Sequence, residues 1–167
     1  MEIIATPGDI TSQDVDAVVN AANRAMRGGG GVDGAIHRAG GPEVLADCRA
    51  RFPRGLATGE AGWTTAGLMS ARWVIHVVGP NHNRGETDRT LLTSCYVHAL
   101  RVADELGARS VAFPLISAGS YGWPFEDAVA AAVETLSSTE TQVAEARINA
   151  YSSAALAEIE RQLDARD

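Results

Sequence analysis

Residues 110–125 read Ser110-Val111-Ala112-Phe113-Pro114-Leu115-Ile116-Ser117-Ala118-Gly119-Ser120-Tyr121-Gly122-Trp123-Pro124-Phe125. The apolar start, closed by Pro114, predicts a buried strand over 110–114. Small residues and glycines then predict a loop, and Pro124 suits the first turn of a helix over 125–136. In open α/β sheets, the loops that leave the carboxyl ends of strands are where ligands bind. The stretch therefore proposes both a fold class and a place for a site.

Working outward, the same alternation recurs. Upstream, Leu91, Leu92, Cys95, Ala99, Val102, Ala103 and Leu106 repeat at helical spacing, predicting a helix over 87–106 that Gly107 closes. Before it, Trp73–Val78 is a near-continuous apolar run, as expected of a strand covered on both faces. Downstream, a weaker strand is predicted over 143–151 and a helix over 153–163. Arg147 and Asn149 suggest that the outer face of that strand is partly solvated. Toward the N-terminus come strands over 2–6, 17–20 and 60–65, with helices over 12–15, 32–39 and 42–51. The polar stretch His82–Asp88 is predicted to be a mobile surface loop. Strands alternating with helices imply a parallel or mixed sheet covered on both faces, and 167 residues suit one domain spanning 1–167.

The formal charge is −7, and every one of the 14 basic residues is arginine, with no cluster among them. Binding to duplex nucleic acid calls for a basic patch, so nucleic acid is not the expected partner. No apolar run is long enough for a membrane span, and the N-terminus carries no secretory pattern; a cytoplasmic monomer is expected. Cys48 and Cys95 have no ligand-like spacing and are predicted to be reduced core thiols.

Gly28–Gly31 is the second glycine-rich segment. Gly29-Gly30-Gly31-Val32-Asp33-Gly34 has the form G-x-G-x-x-G, but about eight residues lie between Asn20 and Gly29, too many for the tight strand-to-helix turn of a dinucleotide fold. No Lys-Ser/Thr follows, which excludes a Walker-type loop. What remains is a backbone able to approach a ligand closely, next to a helix start whose free N–H groups favour an anion. Without lysine, an anion here has to be held by main-chain amides.

With both loops placed, the chain resembles the macrodomain family, and specifically its MacroD-type hydrolase branch. The resemblance rests on Gly8-Asp9-Ile10-Thr11, Val19-Asn20-Ala21-Ala22-Asn23, Gly28–Gly31 followed by Val32-Asp33-Gly34-Ala35-Ile36-His37, Ile75–Pro80, and Ala112–Gly122. It implies a three-layer α/β/α fold around a mixed sheet of about six strands, an ADP-ribose cleft, and no cofactor or metal. Asp9 matches an acid that accepts from the adenine amino group, with Ile10 beside it; capping a turn is the alternative role for Asp9. Asn23 matches an amide on the distal ribose and Asp33 a nearby acid, so these two are the expected catalytic residues, Asp33 as general base or positioner for a water. Asn20, Gly30, Gly31, Val32, Ser117, Ala118, Gly119, Ser120 and Tyr121 are the expected ligand contacts around the diphosphate and distal ribose. Tyr151 either stacks on adenine or is a half-buried strand end. Ala118 and Ser120 depart from the family loop, where Thr and a larger apolar residue are frequent. The implied partners are ADP-ribose, ADP-ribosylated proteins and O-acetyl-ADP-ribose; a non-catalytic reader of ADP-ribose and a protein for another nucleotide are the alternatives. His37 is expected to pack against the core, and His76, inside a strand, to be a hydrogen-bonded core residue. His82 and His98 have no partner at ligand-like spacing.

Overall fold

A computed structural model describes residues Met1–Asp167. Six strands, β1 (Glu2–Pro7), β2 (Ala17–Ala22), β3 (Ala61–Thr65), β4 (Trp73–Val78), β5 (Ser110–Phe113) and β6 (Glu145–Ala150), form one sheet in the order β1-β6-β5-β2-β4-β3. All neighbours are parallel except β3 and β4. The helices are α1 (Gly31–Gly40), α2 (Pro42–Arg51), α3 (Arg89–Leu106), α4 (Phe125–Ser138) and α5 (Ser153–Asp164). No helix is long and apolar enough to cross a membrane.

Strand alternation sorts the core into two layers. Val19, Ile75, Val77, Val111 and Phe113 point to the face covered by α3, α4 and α5, and join its apolar cluster. Val18, Val74 and Ala112 point the other way, toward α1, where they pack with Ile36 and Ile10. The three-layer α/β/α fold with a mixed six-stranded sheet is therefore as expected, and its helix boundaries follow local chemistry. Asp88 caps α3 by accepting from the Thr90 amide, and Gly107 ends it in the left-handed conformation at φ +75°. Ser152 caps α5 in the same way as Asp88 caps α3.

Two expectations need correction. No helix forms over 12–15: Asp9 accepts from the Thr11 amide and tightens Ile10–Ser12 into a single 3-10 turn before the chain enters β2. The stretch 82–88 is tied down. His82–Arg84 is a 3-10 turn whose Asn83 donates through its backbone to Tyr121 and through its side chain to Ser120. The outer face of the last strand is partly solvated, as expected: Arg147 keeps 22% of its side chain exposed, while Asn149 beside it is buried and donates to the Gly8 carbonyl.

The loop after β5 is held from below. Tyr96 on α3 is fully buried against Phe113, and its hydroxyl accepts from the Ile116 amide at 3.1 Å. Removing that hydroxyl strands a buried N–H, which costs about 1–3 kcal/mol. Tyr96→Phe is expected to lower unfolding free energy by that amount in urea titration with an unchanged slope; a loss under about 0.5 kcal/mol would mean the bond does not anchor the loop.

Candidate functional site

β2, β4 and β5 end side by side, and the loops that leave them enclose a cleft of about 370 Å3. From the first loop and the start of α1, Asn23, Gly30, Gly31, Val32 and Asp33 line it. From the second, Ser117, Gly119, Ser120 and Tyr121 do. The predicted residues Asp9, Ile10, Ala118 and Tyr151 are not on its wall. Asp9 and Ile10 follow β1, and Tyr151 follows β6, so they stand along the same carboxyl edge of the sheet, at the ends of the next strands over. At roughly 4.8 Å per strand, β1 lies about 14 Å from β2.

Asp9 serves the cap, which does not exhaust it. Its Oδ1 accepts from both the Thr11 amide and the Thr11 hydroxyl, at 2.9 and 2.7 Å, while Oδ2 takes no bond from the chain. These bonds hold its carboxyl below the usual carboxylate range. Tyr151 is 68% exposed, which settles against a half-buried strand end.

Asn20 is a correction. It lies beneath the cleft rather than on its wall, fully buried, with its amide nitrogen 2.8 Å from Asp33 Oδ1 and 3.1 Å from His76 Nδ1. A carboxylate only accepts, so the atom facing Asp33 has to be the amide nitrogen. Its second hydrogen then goes to His76 Nδ1, which leaves the imidazole proton on Nε2, 2.8 Å from Thr64 Oγ1. The Thr64 hydroxyl in turn donates to the Thr65 carbonyl. A hydrogen-bonded chain thus links β3 through β4 and β2 to the cleft acid, with Asn20 donating in both directions, to Asp33 and to His76. Asn20 Oδ1 is left buried without a partner.

Asp33 is held at one oxygen and open at the other. His37, one turn along α1, brings Nε2 to 3.4 Å from Oδ1, so it faces the acid and the first loop rather than only the core. Oδ2 accepts no bond from the chain. A Cβ on Gly29 would sit 3.1 Å from that oxygen and 3.4 Å from Asn23 Nδ2, so the glycine keeps the acid and the amide accessible to one another. Asn23 donates to the Gly28 carbonyl and accepts from the Met26 amide, fixing its side chain.

Gly29, Ala21, Ala22, Gly79, Pro114 and Leu115 also line the cleft, although they were not among the expected ligand contacts. Gly79 had a readable signal: it follows a strand directly, where a loop has to pass. A Cβ there would lie 2.3 Å from Ser117 Oγ and 2.7 Å from Ile116 Cγ2. Ser117 itself adopts φ +64° and donates to the Pro80 carbonyl, locking the two loops together.

Residues 19–132 match the Macro domain family. The chain belongs to the macro domain family. A macro domain-containing protein of Streptomyces coelicolor is 57% identical over 149 residues, covering 87% of this chain and 88% of the relative. A macrodomain of Oceanobacillus iheyensis solved with ADP superposes with a TM-score of 0.92 at 35% identity, covering 97% of this chain and 90% of that one. A Trypanosoma brucei macrodomain in complex with ADP-ribose gives 0.88 at 34% identity, over 97% and 69% of the two chains.

Within this macro domain both cysteines are free and buried, and burial pushes their thiols up to about 11 for Cys48 and about 12 for Cys95. Neither is a nucleophile near neutrality. Burial, with His37 nearby, pushes the His76 imidazole from its ordinary 6.5 down to about 3. The unfolded chain therefore binds a proton that the folded one refuses between those values. Stability is expected to fall as pH drops from 7 toward 4, by at most about 1.4 kcal/mol per pH unit from this one group. His76→Gln keeps a donor and an acceptor without the titration and is expected to flatten that slope in denaturant titrations at several pH values; an unchanged slope would mean that other groups carry it.

Proposed function

We propose that the cleft binds ADP-ribose and hydrolyses mono-ADP-ribosyl esters: ADP-ribose on protein Asp or Glu, and O-acetyl-ADP-ribose. The observation that carries this reading is the pair Gly30 and Gly119. Gly30 has φ −95°, which any residue adopts, and Gly119 is not among the positive-φ residues. A Cβ on either meets nothing within 4 Å. Neither the backbone nor the packing of the chain requires glycine at these two positions, yet both line the cleft. A ligand that approaches the main chain closely does require it. No arginine lines the cleft, so an anionic ligand is met by amides and by the N-terminus of α1. The Oceanobacillus and Trypanosoma macrodomains, solved with ADP and ADP-ribose, support a diphosphate as that anion.

On this reading the diphosphate lies between the two loops, the distal ribose against Asn23 and Asp33, and the adenine along the sheet edge toward Asp9 and Tyr151. Asp9 Oδ2 accepts from the exocyclic amine, and the exposed Tyr151 ring offers a stacking face worth about 1–3 kcal/mol. Asp33 Oδ2 orients the attacking water and takes its proton, while Asn20 and His37 hold Oδ1. Water replaces the ester at the ribose, and the products are ADP-ribose and a free carboxylic acid.

Two substitutions separate binding from chemistry. Gly119→Val is expected to leave the melting temperature within about 2 °C and to weaken ADP-ribose binding about tenfold by calorimetry. Asp33→Ala is expected to keep ADP-ribose binding while ADP-ribose release from glutamate-linked ADP-ribosylated protein and from O-acetyl-ADP-ribose falls at least tenfold. Unchanged release removes Asp33 from the reaction. Wild-type protein that binds ADP-ribose without releasing any is a reader, and no heat with ADP-ribose overturns the reading altogether.

A further inference from the structure

A second cavity, of about 330 Å3, adjoins the cleft at its Asn23 end, and Asn23, Gly79 and Tyr121 line both. Its outer wall is charged, unlike that of the cleft: Arg24, Arg84 and Glu86 line it, with Thr58 and Asn81. Arg24 is spent, since its guanidinium pairs with Glu86 and donates to Thr58 Oγ1. Glu86 is spent too, because its other oxygen accepts from the Asn81 amide at 2.8 Å. Arg84 has no ion pair at all, and Asn81 Oδ1 is buried without a partner. In a chain of net charge −7 this puts an unpaired cation on the wall of one small cavity.

We propose that this annex holds the peptide flanking the modified residue, and that it selects acidic sequence. The inference rests on the reading of the cleft as an ADP-ribosyl ester site. On that reading the distal ribose lies against Asn23, and because Asn23 and Tyr121 line both cavities, the annex is the adjoining space open to the leaving group. A peptide offers what the annex lacks: from an Asp or Glu beside the modified residue, a carboxylate for Arg84. A volume of 330 Å3 accommodates the linkage and roughly one adjoining residue; acetate, the leaving group of O-acetyl-ADP-ribose, fills little of it. The annex wall is held in register with the cleft, because Asn83 bonds Tyr121 and Ser120 across the gap.

The test is calorimetry on the full chain carrying Asp33→Ala, which spares the ligand, with free ADP-ribose and two glutamate-linked ADP-ribosyl peptides. One peptide has Asp and Glu flanks, the other Gly and Ser flanks. The acidic peptide is expected to bind at least fivefold tighter than the neutral one, with the preference shrinking as salt rises. Arg84→Glu, a change at an exposed position, is expected to abolish or invert that preference. Equal affinity for the two peptides, or a preference that survives Arg84→Glu, overturns the annex while leaving the cleft reading intact. Wild-type protein that fails to bind free ADP-ribose overturns the cleft reading itself.

Discussion

Where the segments at the carboxyl ends of the strands touch, one partner in each contact is a glycine. Gly79 meets Ser117, Gly34 meets the Gly29 carbonyl, and Gly122 meets Asn83, each so closely that a Cβ would lie 2.2–2.6 Å from its neighbour. At these three contacts the space is claimed by the protein itself, by a side chain at Gly79 and Gly122 and by backbone at Gly34, and glycine lets the segments run at the separation that leaves a cleft between them. Gly30 and Gly119 are the counterpart: glycines with free space above them. The same residue type closes the scaffold in one position and holds the cleft open in the other.

The division explains what the sequence could and could not disclose. Strand and helix order was legible because the apolar patterns of 73–78, 110–113 and 89–106 are long and uninterrupted, and the glycine runs announced the two loops. Asn20 was misplaced because strand alternation says which face a residue takes, and only the register with β4 reveals that His76 stands opposite it. The segment 82–88 looked mobile because its polarity is the signature of a solvent-exposed connection; its bonds to 120 and 121 are long-range, and nothing local encodes them. Likewise the 3-10 turn at Ile10–Ser12 came from a side-chain cap that outcompeted a further turn of helix.

Charge is distributed by the same logic. Arginine is the sole basic side chain of this macro domain apart from its histidines, and several of its copies are committed to carbonyls or carboxylates, such as Arg27 to the Phe52 carbonyl and Arg89 to Asp127 and Glu134. Asp33 is the one charged side chain on the cleft wall, so an anion proposed to bind there meets short-ranged, directional donors rather than a cation. Amide donors discriminate by geometry, whereas a flexible cation would attract any phosphate in reach. The buried chain from Thr64 to Asp33 complements this arrangement. Its one donor to the acid is the neutral Asn20 amide, which His76 and Thr64 hold in place behind it, so the acid is oriented without being neutralised.

The bonds from Asn83 to Tyr121 and Ser120 tie the rim of the cleft to a turn that belongs to a different strand connection. An outward displacement of either segment alone breaks both bonds, so the turn after β4 and the turn after β5 are coupled mechanically at the rim.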